Sequence, residues 1–196
     1  VLGTSPVDVA AGVVVLLHDR GVYFLADTPL SEPPDSQTLA KIASQTARLV
    51  RSFGMEPRIA LVSHSNFGSA RSADTERVAE AVRILHAREP ELEVDGEMMV
   101  QTALNPELLK TGYPFSRLKS AANVLVFPGV SAASIGHQLV KSLGEAETVG
   151  PILIGIGKPC HVLRRDSGVQ DVVNMAVIAA VDALARGQGP EVTGQG

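Results

Sequence analysis

The sequence has no tryptophan, a single cysteine and few aromatic residues, which make up 4% of its 196 residues. The lone cysteine, Cys160, cannot form an internal disulfide, and this usage is typical of proteins from a reducing compartment. No group of cysteines and histidines has the spacing of a zinc finger. We therefore expect no disulfide framework and no metal site, and we predict a cytoplasmic location.

Excess positive charge and long apolar runs are also lacking. The formal net charge of -4 argues against a broad nucleic-acid surface, which needs clustered lysine and arginine in excess. The longest helical apolar stretch, residues 172–181, has ten residues and contains Asn174, whereas a membrane-spanning helix needs about 20. No signal-peptide pattern follows Val1. We expect neither nucleic acid nor membrane as a partner.

The residues that are present favour an α/β fold, because 45% are hydrophobic and Ala, Val, Leu and Gly dominate. Strand-like runs at 13–17 and 22–26 flank an HDRG turn and predict a hairpin. Strand patterns follow at 58–63, 92–96, 122–127 and 151–157, and helical patterns at 39–53, 75–88, 134–143 and 169–185. We predict a parallel or mixed sheet sandwiched by helices, with ligands beyond the carboxyl ends of its strands.

Two helices carry more specific expectations. In helix 134–143, Ile135, Leu139 and Val140 share one face, which we expect to point inward. Helix 169–185 is apolar around most of its circumference and must therefore be covered on several sides. A shorter helix is predicted to begin with Asn105 as its cap and Pro106 in its first position.

The first candidate site is the loop SHSNFGSARSAD, which follows strand 58–63 and leads into a helix. Ser65, Ser69, Arg71 and Ser72 supply hydrogen-bond donors, and free N–H groups at a helix start suit phosphate. The alternative is a simple helix cap with solvated polar residues.

A second loop, FPGVSAAS, places Gly129, Ser131 and Ser134 at another helix start, where small residues let a ligand approach the backbone. Simple capping is the favoured alternative there. The third candidate, KPCHVLRRDSGVQDVVNM, holds Lys158, His161, Arg164, Arg165 and Asp171. Arginine can bind phosphate with two hydrogen bonds, and an aspartate can accept a proton from a thiol. The alternatives are a surface ion pair at a helix N-terminus and a core or surface histidine.

Two other patterns are set aside. Gly155 and Gly157 are followed by Lys158 and Pro159 instead of a helix start, so the dinucleotide fingerprint fails. Asp95 and Glu97 flank Gly96 and could form a carboxylate pair or a magnesium site. However, DGE after a strand is more often a turn, and we predict a turn.

Six stretches together resemble the phosphotransacetylase family, and specifically the transacetylase-like C-terminal domain of bacterial hybrid NADP-dependent malic enzymes. They are YFLADT, MEPRIALVSHSNFGSARS, ELEVDGEM, ANVLVFP, GPILIGIGKPCHVL and VVNMAVIAAVDA, in the family's order over residues 21–183. The variant SHSNFGS, the pattern KP-x-H-x-L and VNM favour the malic-enzyme type. Authentic transferases more often resemble S-F-S-T-x-G-S.

The resemblance also implies roles for residues of the third loop. The family pattern KPVNDLSRG, followed by an aspartate that deprotonates the coenzyme A thiol, places its arginine at Arg165 and its aspartate at Asp171. Arg164 stands at the serine position and His161 at the asparagine position. The resemblance therefore implies an incomplete catalytic set, with Asp171 and Arg165 weak or vestigial, and a site that binds acetyl-CoA, phosphate or acetyl phosphate without efficient transfer.

The resemblance further implies a two-lobed fold like that of isocitrate and isopropylmalate dehydrogenases. Residues 1–155 match its second lobe, 156–186 form a returning loop and an apolar helix that packs on a first lobe preceding Val1, and 187–196 form a flexible tail. NADP and a divalent metal are expected only in an upstream malate-oxidising domain that makes pyruvate.

Three functions remain open on this resemblance. The first is a regulatory, acetyl-CoA-binding domain that forms homo-oligomers, at least dimers. The second is an active phosphate acetyltransferase or butyryltransferase, which transfers an acyl group between acyl phosphate and coenzyme A. The third is an assembly module that no longer binds a ligand.

Overall fold

The computed structural model describes residues 8–26, 34–144, 146–163, 165 and 167–185, without the side chain of residue 185. Strands in these ranges are β1 (Ala11–His18), β2 (Gly21–Ala26), β3 (Arg58–Val62), β4 (Glu93–Met98), β5 (Val124–Val126) and β6 (Glu147–Ile154). The helices are α1 (Ser36–Ser52), α2 (Ala73–Arg88), α3 (Val100–Ala103), α4 (Pro106–Gly112), α5 (Val130–Leu143) and α6 (Val169–Ala185).

The described strands form one mixed sheet in the order β4-β3-β5-β2-β1-β6. Strands β4, β3, β5 and β2 pair in parallel, whereas β1 pairs antiparallel with both β2 and β6. All described strands except β1 therefore run in the same direction. Their carboxyl ends share one edge of the sheet, which we call the carboxyl edge. The predicted α/β class and the hairpin are confirmed.

Helices cover both faces of the sheet because alternate strand residues are apolar on both sides. On one face, α1 and α2 pack through residues such as Ile42 and Val78 against Phe24, Ile59 and Leu61. On the other face, α3, α4 and α5 contribute Ala103, Leu109 and Ala133, which cluster with Leu25, Ala60 and Leu125. The two faces hold the strands in register and thereby fix the loops at the carboxyl edge.

The prediction for the inward face of α5 is wrong. Ile135 and Leu139 are 67% and 57% exposed, whereas Ala133 is buried. The helix also begins at Val130, four residues before the predicted start, with Gly129 as its cap. A small residue faces the sheet, so the larger apolar residues lie on the outer side.

The turn predicted at DGE is also wrong, because Asp95, Gly96 and Glu97 lie within β4. Both carboxylates are buried, at 6% and 3% exposure. Their charge is compensated by hydrogen bonds from distant parts of the chain, described below. Local turn preference is outweighed here by tertiary contacts.

Helix α6 lies against the edge strand β6. Its Met175 is buried and its Ile178 packs on the main core, while Val169, Val173 and Val177 are exposed. The helix bounds are as predicted, and coverage of its outer side by a first lobe stays a prediction. Neither α6 nor any other helix in the described ranges has the length and apolarity to cross a membrane. The proposed tail, 187–196, lies outside the described residues.

Helix α1 begins at a side-chain cap that allows a direct test. Asp35 Oδ1 accepts a hydrogen bond from Thr38 N–H at 2.7 Å, and hydrogen bonds from the Thr38 side chain and backbone lower the pKa of Asp35. We expect Asp35→Ala to lower the free energy of unfolding by about 1 kcal/mol at neutral pH. Because the pKa is lowered on folding, the contribution is present above the ordinary aspartate pKa and is lost as pH falls through the folded value. Urea unfolding of both proteins at pH 7 and pH 3 tests this, and a pH-independent difference contradicts it.

Candidate functional site

The β3–α2 loop, residues 63–72, is held together by its own side chains and by one carboxylate of β4. Ser65 is fully buried, and its hydroxyl donates to Glu97 Oε1 at 2.9 Å and accepts from Ala70 N–H at 3.0 Å. Ser69 Oγ accepts from Asn66 N–H at 2.9 Å. These two predicted ligand-binding serines therefore have structural contacts within the loop.

The end of this loop forms the N-terminus of α2. Ser72 Oγ accepts a hydrogen bond from Thr75 N–H, and Thr75 Oγ1 accepts one from Ser72 N–H, which together make a capping box at the start of the helix. The capping alternative thus describes Ser72 correctly. Arg71, directly before the cap, is exposed. It is the cationic side chain that this loop offers to solvent at the carboxyl edge.

Most backbone donors of the loop are already used. The N–H groups of Asn66, Gly68 and Ala70 donate to side-chain oxygens, and those of Phe67 and Ser69 donate to backbone carbonyls. An anion at this loop would therefore find few open backbone donors in its centre. Such an anion would instead contact Arg71 and the first turn of α2, where the helix dipole favours negative charge.

Sequence reasoning placed in a turn two carboxylates that are buried in β4 and bonded to other segments of the chain. Glu97 Oε1 accepts from Ser65 Oγ and from Gly68 N–H, the latter at 2.6 Å. Asp95 Oδ2 accepts from Ser116 Oγ at 2.9 Å and from Arg117 N–H at 2.7 Å. The apolar residues on both sides of DGE, in LEVDGEM, are the signal that could have placed them in a strand.

The second candidate loop, between β5 and α5, is short. Gly129 caps α5, and the carbonyl of Pro128 accepts a hydrogen bond from Arg77 Nη2 at 3.2 Å. Ser131 lies in the first turn of α5 and is exposed. It does not line the cavity described next.

A cavity of about 630 Å³ lies between α5, β6 and the start of α6. Val14, Leu25 and Met175 form an apolar part of its wall. The polar groups that line it include Ser134 and Lys141 of α5, together with Ser167 and Asp171. It combines apolar walls with a few polar groups, which is typical of small-molecule sites.

The third candidate loop contributes to this cavity only in part. Asp171 lines it, and Asp171 Oδ2 accepts a hydrogen bond from Gly168 N–H at 2.9 Å, which holds the start of α6. Lys158 and Arg165 are exposed and are not among its described lining residues. His161 is half-buried, and its Nδ1 accepts from Leu153 N–H at 3.3 Å. Arg164 lies outside the described residues.

Lys141 and Ser167 were not among the predicted site residues, whereas Ser134 was named in the second candidate loop. Ser134 and Lys141 are seven residues apart, two helical turns, and so share one side of α5. That polar spacing was the available signal, but it was obscured by the expectation that Ile135 and Leu139 point inward. Within the described ranges, no three His, Cys, Asp or Glu side chains are grouped as metal ligands would be.

Residues 1–180 match the model of the family described as phosphate acetyl/butaryl transferase. The chain belongs to this transferase family. It is 41% identical over 174 residues to the phosphate acetyltransferase of Bacillus subtilis, which covers 89% of this chain and 54% of that protein. It is 42% identical over 178 residues to the NADP-dependent malic enzyme of Escherichia coli, which covers 90% of this chain and 24% of that protein.

Solved structures of the transferase family have the same fold. A phosphotransacetylase from Streptococcus pyogenes superposes with a TM-score of 0.88 at 33% identity, over 94% of this chain and 57% of that one. The EutD phosphotransacetylase from Staphylococcus aureus gives a TM-score of 0.84 at 36% identity, over 92% and 56% of the two chains. The chain spans about half the length of the phosphate acetyltransferases it matches and about a quarter of the malic enzymes. The predicted family resemblance is confirmed.

Proposed function

We propose that this chain is the phosphotransacetylase-like regulatory part of an NADP-dependent malic enzyme in the cytoplasm. In this role it binds acetyl-CoA in the cavity between α5, β6 and α6 and at the β3–α2 loop. It transmits inhibition to malate oxidation, takes part in homo-oligomer assembly and has little transferase activity of its own. NADP and a divalent metal belong to the malate-oxidising domain in this proposal. The observation that carries it is the cavity at α5, β6 and α6, which is lined by Asp171 without Arg165 beside it.

The cavity has the features needed to hold a small acyl group. Its apolar wall at Val14, Leu25 and Met175 suits the acetyl and thioester end, while Lys141 and Ser134 can donate hydrogen bonds to a carbonyl or a phosphate. The other candidate contact, Arg71 of the β3–α2 loop, lies beyond the end of β3. Strands β3 and β1 are three positions apart in the sheet, or about 14 Å. A ligand that reaches both places must be extended, as a pantetheine arm joined to a nucleotide is.

The same cavity is poorly arranged for acyl transfer. One oxygen of Asp171 is engaged by Gly168 N–H, and Arg165 is exposed outside the described lining. A base must reach the proton that it removes, and phosphate must be held against the attacking thiol. Because Asp171 is hydrogen-bonded at the start of α6 and Arg165 lies outside the described lining, the cavity favours ligand binding over turnover.

Assembly is supported by the outer side of α5. Ile135, Leu139 and Leu143 repeat every four residues and are 67%, 57% and 80% exposed. Exposed apolar residues in a continuous row are typical of surfaces that contact another protein. This supports the proposed homo-oligomer.

Acetyl-CoA binding by the full-length protein tests the proposal. We expect calorimetry to show binding, and we expect Lys141→Ala to weaken it about tenfold, because a charge-assisted hydrogen bond contributes about 1.5 kcal/mol or more. Lys119→Ala is the matched control, since Lys119 is also exposed but its backbone bonds to Glu93 at the opposite edge of the sheet. It should bind as the wild type does.

The readout of function is malate oxidation by the same proteins. The acetyl-CoA concentration that gives half-maximal inhibition should rise in Lys141→Ala in step with the dissociation constant, while the rate without acetyl-CoA stays the same. Binding by wild type without any effect on malate oxidation would remove the regulatory role. Equal binding by both lysine variants would remove the cavity from the proposed site.

An active phosphate acetyltransferase is the second candidate. It is favoured by the 41% identity to the Bacillus subtilis phosphate acetyltransferase and by the presence of Asp171 in the cavity wall. The two candidates differ in turnover, which the Discussion addresses.

A further inference from the structure

We propose that Glu97 is a positioning residue that sets the shape of the β3–α2 loop and thereby the affinity of the carboxyl edge for an anionic ligand. This inference rests on the proposed function, since it assigns to the loop the phosphate-bearing end of the ligand. Glu97 does not touch the ligand in this account. It acts through the loop that carries Arg71.

Every hydrogen bond described for Glu97 beyond its strand goes to this loop. The side-chain oxygen Oε1 accepts from Ser65 Oγ at 2.9 Å and from Gly68 N–H at 2.6 Å, and the backbone carbonyl accepts from Phe67 N–H at 2.8 Å. Three neighbouring loop residues are thus tied to one residue of β4. A carboxylate that is 3% exposed needs such donors, because a buried charge is costly without them.

Backbone strain in the loop points in the same direction. Among the described residues, Phe67 is the one non-glycine residue with a positive φ, at +48°. A bulky side chain is disfavoured in this region, and such a conformation persists where the surroundings enforce it. The bonds from Glu97 to Phe67 and to its two near neighbours supply that enforcement. They hold the loop in a shape that it would otherwise leave.

The loop shape decides where Arg71 lies. Ser65 Oγ is bonded on one side to Glu97 and on the other to Ala70 N–H, the residue directly before Arg71. The path from the buried carboxylate to the exposed cation is therefore two hydrogen bonds and one peptide unit. Removing the carboxylate leaves Gly68 N–H without this acceptor and Ser65 Oγ without one of its bonds. The position of Arg71 then depends on the cap of α2, where Thr75 Oγ1 donates to the Ala70 carbonyl at 3.0 Å.

Asp95 provides a matched control on the same strand. It is 6% exposed, and its side chain also accepts two hydrogen bonds from another loop, but these come from Ser116 and Arg117. A purely structural role for both carboxylates predicts similar losses of stability and equal effects on binding. A positioning role predicts that only Glu97 affects the ligand.

The experiment uses the full-length protein and three variants, Glu97→Ala, Glu97→Gln and Asp95→Ala, at a temperature well below the melting point of each. Binding of acetyl-CoA is measured by calorimetry, and loop order by hydrogen exchange at residues 66–70. We expect Glu97→Ala to weaken binding at least tenfold and to accelerate exchange in this segment. Glu97→Gln keeps an Oε1 acceptor and should stay within about threefold of the wild-type affinity. Asp95→Ala should lower the melting temperature comparably, accelerate exchange near residues 116–117 and leave the affinity within about twofold.

The outcomes separate this inference from the function on which it rests. No binding by the wild type would overturn the proposed function and, with it, the ligand role of Glu97. The positioning role alone would be overturned by either of two results with a wild type that binds. One is an equal loss of acetyl-CoA affinity in Glu97→Ala and Asp95→Ala, and the other is no loss of affinity in Glu97→Ala. Unchanged exchange at residues 66–70 in Glu97→Ala would overturn it independently of any ligand.

Discussion

Gly96→Ala is expected to lower the free energy of unfolding by about 4 kcal/mol, near the upper end of single substitutions. Gly96 has a φ of +145°, and a Cβ built on it would lie 2.5 Å from the Leu61 carbonyl oxygen and 3.2 Å from Leu61 Cβ. Leu61 is its register partner in β3. The clash is therefore with backbone of the paired strand, which cannot move away without disturbing the β3–β4 ladder.

Gly21→Ala separates the two causes of this loss. Gly21 has a similar φ of +136°, but a Cβ there would meet nothing within 4 Å. Gly21→Ala should lower the free energy of unfolding only by the cost of the positive φ, about 2 kcal/mol. Urea unfolding of the wild type and both variants gives the comparison. Equal losses would show that the close approach of β3 and β4 at Leu61 contributes nothing.

The β4 segment also shows where sequence reasoning reached its limit. Strong period-two and period-3.6 patterns predicted the hairpin, α1, α2 and α6 correctly, since those patterns record burial on one side of an element. At DGE the local turn preference was misleading. The donors that stabilise Asp95 and Glu97 come from Ser116 and Ser65, which are 21 and 32 residues away.

The prediction for α5 was wrong for a different reason. Periodicity identified an apolar row at Ile135 and Leu139 but could not say whether that row faces the sheet or another protein. The structure places small Ala133 toward the sheet and the larger residues outside. This wrong orientation of α5 is also why Lys141, which lines the cavity, was not predicted.

The sequence predicted which loops contribute to the candidate site, but it predicted only some of the residues that line it. The rule that ligands lie beyond the carboxyl ends of strands pointed to the three loops. Asp171 of the third loop does line a cavity, but that cavity lies against α5 and residues 148–151 in the first half of β6. However, the rule says nothing about which polar groups are already used. Ser65, Ser69 and Ser72 bond within their own loop, and that is visible only once Glu97 and Thr75 are in place.

Acetyl transfer is expected to be at least about 100-fold slower in the full-length protein than in the Bacillus subtilis phosphate acetyltransferase assayed beside it. General acid–base catalysis contributes about 10²- to 10⁴-fold, and it requires a base aimed at the thiol. Asp171 Oδ2 is instead engaged by Gly168 N–H, and Arg165 is exposed outside the described cavity lining. Thiol release from acetyl-CoA in the presence of phosphate gives the rate.

Asp171→Asn decides between the two candidate functions, with Asp19→Asn as the control because Asp19 is exposed in the hairpin turn at the opposite edge. In a regulatory domain, both variants should retain acetyl-CoA inhibition of malate oxidation, since asparagine can still accept the Gly168 N–H bond. In a working transferase, the wild type should match the Bacillus subtilis enzyme and only Asp171→Asn should lose that rate. The second result would show that Asp171 leaves its bond to Gly168 when the ligand enters, so that the arrangement at the start of α6 is a resting state of a catalytic base.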